Sequence, residues 1–215
     1  MWEHPHYPRY YVPLTDVDAA VLVDEHGTAD TQFGPAARFG LRVDDRRHPD
    51  SVAVFTPGKL TGLARIDPRL PATWLEEDEQ IFVHPRNPYA RVDALRSTRT
   101  VRIELAGVVL AECHSPVMVF ETGLPTRHYL NRTDVDFTHL LPSDTVTSCP
   151  YKGTTSEYWS VKLGDKVFPD LAWVYNFPTR EMSPIAGMVA FYDEKVDVFV
   201  DGRQVALPAN SPGAD

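Results

Sequence analysis

The chain of 215 residues is long enough for one large domain or two small ones, and its 43% hydrophobic and 24% charged residues exclude a disordered or fibrous protein. A formal charge of -9, with no basic run longer than a pair such as Arg46-Arg47, excludes the concentrated basic face that nucleic-acid binding needs. The 19 prolines cut the sequence into short segments and favour short strands and loops over long helices.

The opening MWEHPHYPRYY is polar and proline-rich, with no apolar core of a secretion signal. No apolar stretch approaches the roughly 18 residues of a membrane span, so the expectation is a cytoplasmic protein without membrane association. In that compartment Cys113 and Cys149 are reduced thiols. The adjacent Cys113 and His114 point to opposite faces of a strand, no other Cys and His stand at zinc-motif spacing, and neither a metal nor an organic cofactor is expected.

RYYVPLTDVD (9–18) shares six of ten residues with RHYLNRTDVD (127–136), 118 positions on. SVAVF (51–55) lies over LAWVY (171–175) at 120, and ATWLEEDEQIFV (72–83) lies over AFYDEKVDVFV (190–200) at about 117. Three matches in order at one offset read as two related units. These are a divergent, truncated first unit over 1–90, a complete second unit over 91–207 and a flexible tail over 208–215, joined near HPRNPYARVDAL (84–95). Each TDVD predicts one short helix, with Thr15 and Thr133 as N-caps and Asp136 suited to the positive helix start. RTVRIELAGVVLAECH (99–114), which has no counterpart before Arg9, reads as a hairpin turning at Gly107. Its alternation puts Val101, Ile103 and Leu105 on one face and Arg102 and Glu104 on the other. The end repeats the pattern in MVAFY, a DEK turn and VDVFVDG, with Val196, Val198 and Val200 on one face and Asp201-Gly202 as the turn. The expected architecture is mainly β: two related small β-rich units with one short helix each, packed as a pseudo-symmetric pair inside a monomer.

VRIELAGVVLAE, ETGLPTRHYLNRTDVD, SCPYKGTTSEYW, AWVYNFP and VAFYDEKVDVFVDG, in that order, resemble the family known as domain of unknown function 427 over about residues 96–203. The CPYKG element and the closing FYDEKV with VDG carry the resemblance. It implies a β-tent-like fold, the folded sheet sandwich of methionine sulfoxide reductase B and several zinc-binding domains. It does not imply their zinc, because the cysteine pairs are absent. One label of the family suggests nucleotidyltransferase activity, for which the chain offers neither a glycine-rich phosphate loop nor a paired acidic motif for magnesium.

Opposite CPYKG (149–153) the first unit has TQFGP (31–35), without cysteine or lysine, so any chemistry is assigned to the second unit. Cys149 reads as a nucleophile whose thiolate is favoured by the Lys152 cation. The alternative is a small buried filler in a turn shaped by Pro150 and Gly153, with Lys152 in water. Desolvated, Lys152 also suits a base or a Schiff base. Glu121, closing the apolar run VMVFE, pairs with Tyr158 as acid and base, or else marks a strand end in solvent; the family pattern carries a glutamate there. Arg127 and Tyr129 would bind an anion and donate hydrogen bonds, although their counterparts Arg9 and Tyr11 favour a structural role for at least one, and Asp134, repeated as Asp16, belongs to the helix start. Tyr151, Trp159, Trp173 and Tyr175 form either a pocket wall or core, with Leu171, Trp173 and Tyr175 on one face by alternation. His114, His128 and His139 are each candidates to assist Cys149. The expected function is a small-molecule-processing enzyme, cofactor-independent, of the lyase, hydrolase, isomerase or thiol-redox type. The alternatives are a non-catalytic small-molecule binding module, a nucleotidyltransferase and a structural partner protein.

Overall fold

A computed structural model describes residues 1–4, 7–56, 58–67, 70, 73–81, 84–87 and 89–206. The tail expected over 208–215 lies outside them. The chain forms two compact units, one of Met1–Leu75 and Gln80–Asn87, the other of Glu76–Glu79 and the chain from Pro88 onward. Among the described residues no helix is long and apolar enough to cross a membrane.

The first unit is a five-stranded antiparallel sheet of β1 (Val12–Pro13), β2 (Leu22–Thr31), β3 (Gly34–Val43), β4 (Arg46–Phe55) and β5 (Leu63–Ile66), in the order β1-β5-β4-β3-β2. Alternation along β4 divides its side chains between two faces. Val52 and Val54 pack with Leu41 and Ala64 on one, and Ala53 and Phe55 with Ala36 and Leu60 on the other.

The second unit has two main sheets and a two-residue ribbon of Ser148–Cys149 with Gly153–Thr154. The larger sheet is assembled from β6 (Val92–Arg96), β9 (Val117–Glu121), β10 (Arg127–Leu130), β11 (Leu140–Ser143), β12 (Glu157–Leu163), β13 (Lys166–Val174) and β14 (Val189–Phe191), in the order β6-β9-β10-β14-β13-β12-β11. Against it packs a four-stranded sheet, β8-β7-β15-β16, from β7 (Val101–Leu105), β8 (Val108–Cys113), β15 (Asp197–Val200) and β16 (Arg203–Gln204). The β7-β8 hairpin reverses at Ala106 and Gly107, both at positive φ, as the short turn between two strands requires. Val101, Ile103 and Leu105 point inward as the alternation predicts, and meet Leu130, Trp159, Val161, Val174 and Phe191 of the larger sheet. The unit is therefore a mainly β, antiparallel sandwich. The outer face of the larger sheet carries a second apolar cluster, including Val119, Tyr129, Tyr158, Trp173 and Tyr175, capped by Met182 and Ile185 of a 3-10 segment, Arg180–Ile185.

Strand pairing recurs between the units. In β3-β4, Ala37↔Val54, Arg38↔Ala53 and Phe39↔Val52 pair, and then Leu41↔His48. In β12-β13 the same sequence of partners is Glu157↔Val174, Tyr158↔Trp173 and Trp159↔Ala172, and then Val161↔Phe168, each residue 120 further on. The register shift sits at the same place in both hairpins, beside Asp50 and Asp170 at φ 54 and 50. Likewise Val12↔Ala64 matches Leu130↔Val189, and Leu22↔Leu41 matches Leu140↔Val161.

Three expectations change. Each TDVD segment is a pair of successive 3-10 turns, Leu14–Asp16 with Ala19–Val21 and Arg132–Asp134 with Phe137–His139. The capping side chain is that of Asp18 or Asp136, accepting from Ala20 N or Thr138 N at 2.9 Å, while Thr15 and Thr133 instead donate to the neighbouring aspartates. ATWLEEDEQIFV does not align with AFYDEKVDVFV: by pairing, the counterpart of Val189–Phe191 is Ala64 to Ile66, and residues 73–81 carry two short strands, Trp74–Glu76 and Glu79–Ile81. Leu171 leaves the face of Trp173 and Tyr175 for the sandwich core, because three residues of β13 oppose the single Ser160 and the bulge at Asp170 resets the alternation.

Candidate functional site

CPYKG closes a two-residue ribbon in which Ser148 and Cys149 pair with Thr154 and Gly153. Gly153 has φ +97, a conformation an L side chain rarely adopts, so the turn that aims Lys152 requires glycine. Two bonds tie the turn to the 3-10 cover: Thr179 N donates to Lys152 O at 3.1 Å, and Thr179 Oγ1 to Tyr151 O at 2.6 Å. So anchored, Lys152 forms an ion pair with Oε1 of Glu121 at the end of β9, the two side chains being 12% and 14% exposed. The two residues lie 31 positions apart in the chain.

Glu121 lies within electrostatic reach of Tyr129 and Tyr175, and Cys149, half-buried, within reach of Tyr175. Burial pushes the Tyr175 hydroxyl well above the usual phenol range, and the neighbouring Cys149, Tyr192 and Glu121 add to the shift. Tyr129 is raised further by burial: the residue is fully buried, and its hydroxyl lies beside the Trp173 indole without a hydrogen-bond partner. Tyr158 is raised by burial and by its 2.6 Å hydrogen bond to Tyr192. All three phenols are therefore protonated at neutral pH, which suits them to donate hydrogen bonds and not to act as bases. Trp173 completes the wall, near-parallel to Tyr158 at 6.1 Å and tilted against Tyr192 at 4.5 Å.

Other candidates fall elsewhere. The indole of Trp159 is on the opposite sheet face, inside the sandwich, edge-on to Phe137 at 5.5 Å. Tyr151 is 59% exposed at the tip of the turn. The Arg127 guanidinium, expected to bind an anion, already faces acidic residues, with bonds of 3.1 and 2.7 Å to Glu194, a 3.2 Å contact to Asp193 and a bond to Phe191 O. The hydroxyl of Tyr158 meets Tyr192 instead of Glu121. The three histidines also turn to other partners: His128 to Asp193 at 3.0 Å, His114 to Thr100 at 3.0 Å and His139 to Asp136 at 3.7 Å. Cys113 is buried in the sandwich core, where burial and then the Asp134 carboxylate push its thiol up.

Sequence reasoning missed Tyr192, Thr179 and the Asp193-Glu194 pair. The acidic DEK was read only as a turn, yet two adjacent carboxylates beside an apolar strand signal a buried cation, here Arg127. No group of three or more His, Cys, Asp or Glu among the described residues is placed to hold a metal ion.

The fold and this site define a β-sandwich protein with a lysine-carboxylate pair at the edge of a tyrosine-rich cluster. The chain belongs to the family described as Domain of unknown function (DUF427), whose family model matches residues 93–202. No curated protein matches the chain.

Proposed function

We propose that the second unit is a small-molecule-processing enzyme in which Glu121 takes a proton and Lys152 stabilises the charge that develops. The observation that carries this is the unpartnered, buried hydroxyl of Tyr129 in the cluster bordered by the Lys152–Glu121 pair. A buried hydroxyl without a partner is costly, and an oxygen or nitrogen of a bound ligand would satisfy it. In this reading a substrate separates the ion pair. Glu121 takes a proton, Lys152 stabilises the developing negative charge, and the protonated phenols of Tyr129 and Tyr175 hold the substrate oxygen. Trp173 supplies the apolar wall, and Cys149, beside Tyr175, is a nucleophile or polarised thiol in reach of the same ligand. Arg127 fixes the strand that presents Tyr129 and does not enter the reaction. The protein would act in the cytoplasm, as a monomer.

A second reading, a binding module without turnover, is favoured by the closed Lys152–Glu121 pair and by phenols that stay protonated. One experiment separates the two. A fragment library is screened by NMR for compounds that slow iodoacetamide labelling of Cys149, and each hit is incubated with the parent chain, Glu121→Gln and Cys149→Ser. Conversion of a hit by the parent and not by Glu121→Gln supports the enzyme. Hits that protect but return unchanged support the binder, and a library without any protecting hit removes both.

We further infer that the first unit is a divergent copy of the second, on the strength of the shared strand order and the matched registers of five strands.

A further inference from the structure

Successive residues of β10 face opposite sides of the larger sheet. Arg127 and Tyr129 turn to the outer aromatic cluster, whereas His128, paired across the strands with Met118, turns to the sandwich interior. Past the end of β14 one carboxylate meets both faces. Oδ1 of Asp193 lies 3.2 Å from the Arg127 guanidinium, and Oδ2 lies 3.0 Å from Nδ1 of His128. His128 and Asp193 are each only 3% exposed. A carboxylate that also faces a guanidinium accepts hydrogen bonds, so Nδ1 of His128 carries a proton and donates to it. In the neutral ring this leaves Nε2 as an acceptor. Among the described residues Nε2 has no hydrogen-bond partner.

The His128 ring lines a hollow of about 360 Å³ within the second unit, and Asp193 is not part of its wall. Met118, Phe120, Pro125, Val200 and Val205 supply most of the apolar surface. Of these, Met118, Phe120, Val200 and Val205 also belong to the cluster between the two sheets, so the hollow continues the sandwich core at its margin. The two charged residues in the wall satisfy each other. Arg99 donates to Glu77 at 2.8 Å, and a further bond of 3.1 Å takes it to Asp201. What remains is an apolar wall with one buried acceptor, on the scale of a small-ligand site. Such an acceptor is costly to leave unsatisfied, and an uncharged ligand with a single donor would satisfy it.

We propose that this hollow binds a small neutral phenol, whose hydroxyl donates to Nε2 of His128 and whose ring packs against Phe120 and Met118. An aromatic edge and a thioether both suit a flat ring. Asp193 is the positioning residue, because its bond to Nδ1 selects the tautomer that accepts at Nε2. The hollow opens on the sheet face opposite Glu121, and the proposal is independent of any chemistry at Lys152.

The test is NMR titration of the whole chain at pH 8 with phenol, and with anisole as the same ring without a donor. Phenol is expected to bind about fivefold or more tightly than anisole. It should move the Met118 methyl and Phe120 ring signals, and shift the Nε2 resonance of His128, which anisole should leave in place. His128→Asn keeps a donor for Asp193 and has no atom at the Nε2 position; the folded variant is expected to bind phenol no better than anisole. If that variant does not fold, the Nε2 resonance of the parent decides. Equal affinity for anisole, an Nε2 resonance unmoved at saturating phenol, a parental preference for phenol in folded His128→Asn, or no phenol binding would each overturn the proposal.

Discussion

Lys152 and Glu121 hold each other's charge at 12% and 14% exposure, so removing one leaves the other half-desolvated without a counter-ion. For a pair buried to this degree the loss is expected at about 2 kcal/mol or more. Lys152→Met and Glu121→Gln should each lower the urea midpoint, and the double variant should lose less than their sum, with a coupling of about 1 kcal/mol. Strict additivity would mean that the pair does not exist in solution. A second charge site gives a pH signature. Burial pushes the Glu194 carboxyl up, but the hydrogen bonds and charge of Arg127 more than offset this and hold it below its ordinary value. A carboxylate depressed in the folded state contributes stability above its unfolded pKa, near 4.3, and that stability is lost as pH falls through the folded value. Glu194→Gln is therefore expected to cost about 1.5–3 kcal/mol at neutral pH, the range for a charged hydrogen bond. Unfolding curves from pH 7 to pH 3 check the sign: the gap between parent and variant should close as pH falls below about 4. A gap that widens in acid would remove Arg127 as the partner.

At the scale of elements, the CPYKG ribbon works because one residue can take φ +97 and because Thr179 ties the turn to the 3-10 cover. Gly153→Ala forces a β-carbon into that conformation and is expected to destabilise the second unit by about 1–2 kcal/mol. It should also loosen Lys152 from Glu121, seen as faster amide exchange at Lys152 and Thr179. Unchanged exchange would mean that the turn does not position the lysine. Much of this was legible in the chain: the alternation of TVRIEL fixed the inner face of β7, and the Pro150 and Gly153 framing of Lys152 marked the turn. What the lysine would meet was not legible, because Glu121 is distant in sequence and only the order of β9, β10, β14, β13 and β12 brings the two together. Trp159 was misplaced for a related reason. Adjacent aromatics look like one cluster in sequence, whereas in a strand Tyr158 and Trp159 face opposite sides. The bulge at Asp170 left too little local signal to be foreseen, and it moved Leu171 to the other face.

For the whole molecule, the question is which part of the chain carries its own stability. The second unit holds two apolar clusters, one between its sheets and one beneath the 3-10 cover, and every residue of both comes from Val92 or later. The family match, over residues 93–202, falls within the same stretch. The first unit has two smaller clusters, and one face of its sheet is interrupted by an arginine-lined cavity. Burial of apolar surface is the main favourable term in folding, so the two units should differ in what they can do alone. A chain cut to residues 76–206 is expected to keep the near-ultraviolet signal of Trp159 and Trp173, both under 10% exposed, and to unfold in one cooperative step. A chain cut to residues 1–75 is expected to unfold at lower temperature and with a smaller enthalpy. If the longer piece instead loses its near-ultraviolet signal while keeping its strand content, the packing of its clusters depends on the first unit. In that case the first unit contributes structural support to the packing of the second.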